Sequence, residues 1–152
     1  MKKAKKRNKG FSLIELLIVV AIILIIAAIA IPNLLKARRS ANEGSATASM
    51  RTIGSGELLY RSTQGVFTTL AGLSADGVID NVLGAGGKSG YQFVATPGAG
   101  TLAPLQFTST AQPAIVGGPT ASGTRYYFTD ETQVIRYSLT AVPDSTGQPI
   151  GE

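Results

Sequence analysis

The chain has no cysteine and no histidine. Without cysteine, no disulfide can staple an exported domain. Without histidine, the commonest general base and metal ligand is missing. Nor is there a phosphate-binding glycine loop or a nucleophile set beside a base, so an enzymatic reading finds no constellation to rest on. Two local absences say more. Residues 1–10 carry six basic side chains and no acid, and residues 16–31 carry no polar side chain at all. The formal charge of +5 therefore belongs to the leader. From Phe11 onward eight basic residues stand against nine acidic ones, a net of −1. A basic balance confined to ten residues is no sign of nucleic-acid binding. Ahead of an apolar run it has a membrane meaning: it holds the N-terminus in the cytoplasm. Lys36, Arg38 and Arg39 follow the run on its other side and are fewer.

The apolar run is the most informative stretch present. Phe11 to Ile31 is 21 residues, which as a helix spans roughly 31 Å. A hydrocarbon core is about 30 Å thick. A run of this length without alternation predicts a membrane helix over residues 11–32 rather than the core helix of a soluble domain. Glu15 interrupts the run near its start. A carboxylate within a membrane helix costs roughly 2.5–3.5 kcal/mol at mid-bilayer and less near the headgroups, so it marks a functional position whose partner must be sought. Pro32 lacks a backbone donor and disfavours helical geometry at Ile31, so a kink or short interruption is expected there. Ala28-Ile29-Ala30 also fits an ordinary secretory cleavage pattern, which would release a soluble protein. The apolar region is longer than the usual 7–15 residues and carries Glu15, which counts against that alternative.

The order Gly10-Phe11-Ser12-Leu13-Ile14-Glu15 resembles the class III signal of type IV pilins and of type II secretion pseudopilins. The resemblance is dense from Lys9 to about Tyr60. It implies that the basic leader, residues 1–10, is removed by a prepilin peptidase cutting after Gly10. It implies that Phe11 becomes the N-methylated terminus, and that Glu15 pairs with the Phe11 amine of a neighbouring subunit during assembly. Pro32 falls where many members bend. Leu24 departs from the pattern, standing where many type IV pilins have Gly. As a good helix former, it works against the local unwinding that Gly and Pro permit together. The implied partners are other copies of the chain, the prepilin peptidase/methyltransferase, an inner-membrane assembly platform and related minor pilins or pseudopilins. The implied location is the bacterial inner membrane, single-pass with the C-terminus outside, and then a pilus or a periplasmic pseudopilus. The missing cysteines remove the C-terminal disulfide that some pilins use.

Beyond Pro32, no proline occurs until Pro97, and a helical pattern resumes to about Ser62. Ala46, Met50, Ile53 and Tyr60 fall on one face. Gly44, Gly54 and Gly56 weaken the helix by about 1 kcal/mol each relative to Ala, so this half needs a head to pack against. Its small residues suit close helix packing. Gln64-Gly65 ends it. A loop-rich connection follows to Gly90, with short helices possible near Thr69–Ser74 and Asp80–Leu83. Alternating runs predict strands from Tyr91, from Leu105 and over Thr124–Thr129 and Val134–Leu139, the last two as a hairpin. Gln112–Gly123 is expected to be a loop, and Pro143–Glu152 a frayed tail.

The expected fold is α+β: a long N-terminal helix packed on three or four antiparallel strands, pilin-like, with the head occupying residues 33–152. No cofactor is required. Asp130 and Glu131 are weak calcium candidates, since calcium takes several oxygens from flexible loops; a solvated turn explains them more simply. Tyr126, Tyr127 and Phe128 read as a core strand before they read as a stacking platform. The expected function is that of a filament subunit, with a type II secretion pseudopilin as the alternative.

Overall fold

The computed structural model describes residues 10–102 and 105–151. The basic residues of the leader lie outside that range. Contacts divide the chain into two units, with the boundary between Leu35 and Lys36.

One helix, α1 (Leu13–Gln64), contributes to both units, with Pro32 as an interior residue. In the first unit its apolar side chains are exposed almost without exception, from Leu13 at 80% to Val20 at 46%. Among the described residues it is the single helix long and apolar enough to cross a membrane. At its other end Gly65 adopts φ 78° and donates to the Arg61 carbonyl at 2.8 Å. The left-handed geometry is cheap for Gly and closes the last turn.

The second unit is built on the C-terminal half of α1. Ala46, Met50, Ile53 and Glu57 are fully buried there. Two short helices follow, α2 (Leu70–Ala75) and α3 (Asn81–Gly84). Each starts at a capping side chain. Thr69 accepts from the Gly72 amide, and Asp80 accepts from the Leu83 amide at 2.9 Å. A single antiparallel meander then runs in sequence order: β1 (Gly87–Lys88), β2 (Tyr91–Pro97), β3 (Phe107–Pro113), β4 (Tyr126–Asp130), β5 (Arg136–Ser138) and β6 (Gln148–Pro149). Strict alternation along β2 buries Tyr91, Phe93 and Ala95. Their facing partners on β3 include Ala111 opposite Phe93 and Ser109 opposite Ala95. Met50 and Ile53 of α1 join Tyr91, Phe93, Ala111 and Tyr127 of the sheet in one core cluster. The α+β architecture is therefore as expected, with the helix laid on the sheet.

Four details differ from the expectation. The sheet has six strands, because two-residue β1 and β6 are too short to show a period of two. The tail is not frayed: β6 pairs with β5, Ile150 donates to the Ile135 carbonyl at 2.9 Å, and Arg136 Nη1 donates to the Gly147 carbonyl at 3.0 Å. The anticipated loop begins later, since β3 continues to Pro113. Pro113 lies past Ala111, the last β3 residue paired with β4, so no β4 partner faces it. The β4–β5 hairpin forms with Tyr127 opposite Tyr137, but β5 is shorter than Val134–Leu139 because Gln133 turns with φ 61°. Two of the three helix glycines pack closely, as anticipated, while Gly44 has nothing within 4 Å of where a Cβ would stand. A Cβ at Gly56 would sit 3.1 Å from Val78 Cγ1, and one at Gly54 would collide with the Gln133 side chain.

Candidate functional site

The candidate site is the start of α1. Gly10, Phe11 and Ser12 are exposed and non-helical, and the helix begins at Leu13. Ser12 is the N-cap residue: its carbonyl accepts from the Leu16 amide at 3.3 Å. Glu15, the third helical residue, reaches back to the Ser12 amide with Oε2 at 2.9 Å. This is the glutamate arm of a capping box. A Ser-x-x-Glu spacing supplies it because residue N3 lies over the open amides of the first turn. The carboxylate also faces the positive end of the helix dipole. A Cβ on Gly10 would meet no atom within 4 Å. Among the described residues, nothing in the fold therefore demands glycine there.

The other singled-out residues lie apart from this site. Pro32 is within the first unit's exposed helix. Asp130 ends β4, where Oδ1 accepts from the Thr132 amide and hydroxyl and Gln133 donates to its carbonyl at 3.0 Å. That is a side-chain-capped turn. Glu131 beside it is exposed, and the structure brings no third acid to the pair. Among the described residues, no group of three acids, histidines or cysteines is gathered. Tyr127 and Phe128 are buried in the core, as a core strand requires.

Sequence reasoning missed two polar constructions in the head. Glu57 is fully buried on the core face of α1. Its Oε2 accepts from the Thr68 amide at 3.0 Å, and its Oε1 has no partner. Burial pushes its carboxyl up to about 7, against the pull of the Thr68 hydrogen bond. The signal was present: Glu57 falls within the seven-residue gap between Ile53 and Tyr60 on the apolar face. The second is a polar seam between α1 and the β3–β4 loop. Arg39 donates to the carbonyls of Gly118, Pro119 and Ala121, and Asn42 donates to that of Ser122. Glu43 accepts from the Thr124 amide and hydroxyl at 2.8 and 2.7 Å, with Arg125 Nε 3.8 Å from its other oxygen. No periodicity links positions 80 residues apart, so these pairings were invisible in sequence.

The prokaryotic N-terminal methylation motif matches residues 5–31. The chain is 45% identical over 64 residues to the type IV wide pilus major component PilA4 of Thermus thermophilus, covering 42% of this chain and 49% of that relative. It is 40% identical over 65 residues to the type IV major pilin protein PilA of Myxococcus xanthus, covering 43% of this chain and 30% of that relative. The chain thus spans about half the length of the first relative and less than a third of the second. Over this N-terminal portion the chain is similar to type IV pilins.

Proposed function

We propose that this chain is the structural subunit of a type IV pilus-like filament. Residues 1–10 are cut off after Gly10 by a prepilin peptidase, and Phe11 is N-methylated. The precursor sits in the inner membrane with its leader in the cytoplasm and its head outside. Subunits leave the bilayer through an assembly platform, with or without related minor pilins. Their apolar helices then take each other in place of lipid. The Glu15 carboxylate changes partner, from its own Ser12 amide to the Phe11 amine of a neighbour, and that pair sets the register. Losing one member would strand the other in apolar surroundings at a cost of roughly 3–5 kcal/mol. Pro32 gives the helix a point of bending. The role is structural rather than enzymatic.

One observation carries this reading: the methylation motif over residues 5–31 coincides with an exposed, non-helical Gly10–Phe11 bond two residues before a capped apolar helix. A peptidase can reach such a bond without unwinding the helix. Both matched relatives carry pilus names, so a type II secretion pseudopilus is the less favoured reading. The test is mass spectrometry of the N-terminal peptide from filaments sheared off cells. A peptide beginning with N-methyl-Phe11 is expected. The same peptide confined to membranes would contradict a surface filament, and a chain beginning at Ile31 would overturn the reading altogether.

A further inference from the structure

Glu57 is fully buried, and only one of its two oxygens has a partner. That partner is the Thr68 amide, 3.0 Å from Oε2. Thr68 belongs to the short segment that joins α1 to α2. The segment leaves α1 at Gly65, where φ is 78°, and ends at Thr69, the cap of α2. Gly65, Val66 and Thr69 are exposed, whereas Phe67 is buried and packs on Phe107 of β3 with ring centroids 4.8 Å apart. The Thr68 side chain lies over Gly72, where no Cβ intervenes, and the Arg61 guanidinium lies 5.1 Å from the Phe67 ring centroid. Among the described residues, Val66, Phe67 and Thr68 make one hydrogen bond to the rest of the head, the one to Glu57.

The surroundings of Glu57 do not offset its charge. Residues 65–69, α2 and β3 contain no titratable side chain. Val78 and Ile79, packed at the adjacent Gly56, are apolar, and Gln133 at Gly54 is neutral. Asp76 at the end of α2 and Glu131 after β4 are exposed, and Asp130 is turned to Thr132. The buried Tyr91 and Tyr127 belong to the charges of Glu43 and Arg125. Tyr60 and Arg61 follow Glu57 on α1, and among the described residues no cation forms an ion pair with it. An ionised Glu57 therefore needs water, which its sealed position denies it.

Two routes could hydrate it. One opens the core. The other moves residues 66–68, breaking one hydrogen bond and unseating Phe67, while Gly65 supplies a backbone that turns cheaply. The second disturbs far less packing, and local openings follow the least costly route. We infer that residues 65–69 form a lid over Glu57, seated while the carboxyl is protonated and lifted about Gly65 when it gives its proton to solvent. This device belongs to the head and does not depend on the filament reading. Sealed, the carboxyl titrates at about 7, against 4.5 when hydrated. The advantage of the seated lid is therefore full below about pH 4.5 and is lost as pH rises through about 7. Across that interval opening becomes more favourable by a factor on the order of a hundred.

Hydrogen exchange on the full chain in detergent micelles, corrected for the pH dependence of intrinsic exchange, reads the lid at the Thr68 amide. Protection of Thr68 is expected to fall on the order of a hundredfold between pH 4.5 and pH 8, leaving it far less protected at pH 8 than the amides of β2 and β3. Glu57→Gln should make Thr68 protection independent of pH. Phe67→Ala, which unseats the lid and keeps the carboxyl, should move the Glu57 titration, followed by its carboxyl carbon shift, from about 7 toward 4.5. Thr68 protection that does not change with pH overturns the lid. Protection that falls only in step with β2 and β3 overturns it too, by assigning the pH response to unfolding of the whole head. So does a Glu57 titration that Phe67→Ala leaves in place. Where either variant does not fold, the native profile decides alone.

Discussion

The two halves of α1 use the same backbone geometry for opposite ends. Up to Leu35 it is apolar on every side, and nearly every side chain is exposed. From Lys36 it is apolar on one face, and that face is buried to completion at Ala46, Met50 and Ile53. The first half needs no tertiary partner to remain helical, because a helix satisfies its own backbone groups and tolerates an apolar solvent. The second carries three glycines that cost about 1 kcal/mol each and depends on packing against the sheet. Two of them give close approach in return, as at Gly56 against Val78. One half is stabilised by what surrounds it after folding, and the other by the fold itself.

Substitutions can separate these two modes. The largest effect is expected at Glu15. Glu15→Ala leaves the head folded and cleavage after Gly10 intact, yet abolishes filaments in electron micrographs of sheared material. Normal filaments would remove Glu15 from any role in register. Next come paired truncations. Met50→Ala should destabilise the head by about 2–5 kcal/mol, as cavities of that kind do, measured by denaturant unfolding in detergent. Ile26→Ala, at a 60% exposed position, should leave head stability within about 0.5 kcal/mol while weakening the filament. Equal effects on the head would erase the distinction drawn between the halves.

Glu57 gives a prediction with a definite sign. Its carboxyl is raised from 4.5 to about 7, so between those values the folded head binds the proton that the unfolded chain releases. The contribution of Glu57 is therefore fully present below about pH 4.5 and is lost as pH rises to about 7, a change of about 3 kcal/mol, after which it levels off. Glu57→Gln should flatten that dependence and match or exceed the native head at pH 8. A native profile that rises with pH would show that the carboxyl is ionised without penalty. The smallest effect is at the helix end: Gly65→Ala should cost about 1 kcal/mol, because a side chain is disfavoured at φ 78°.

Much of this fold was legible residue by residue. The stop at Gly65 and the caps at Thr69 and Asp80 depend on neighbours within four positions. The alternation that buries Tyr91, Phe93 and Ala95 is also local; the Ser12–Glu15 cap is equally local, yet it was not read from the sequence, which offered Glu15 only as a partner for a neighbouring subunit. What was misread depended on distant partners. Pro143–Glu152 looks polar and breakable, yet Ile150 is held by Ile135. Arg39 and Asn42 look like ordinary surface residues until the loop that holds Gly118 and Ser122 folds back on them.

By itself, then, the sequence determined the apolar segment, the end of α1, the long strands and the β4–β5 hairpin, because each rests on periodicity or on residues within a few positions. Tertiary structure alone decided that Glu57 would be sealed in the core with one hydrogen bond, that two-residue strands would close both edges of the sheet, and that Arg39 would hold a distant loop through the carbonyls of Gly118, Pro119 and Ala121. Burial and charge compensation are sums over everything nearby in space, and no local pattern carries that sum.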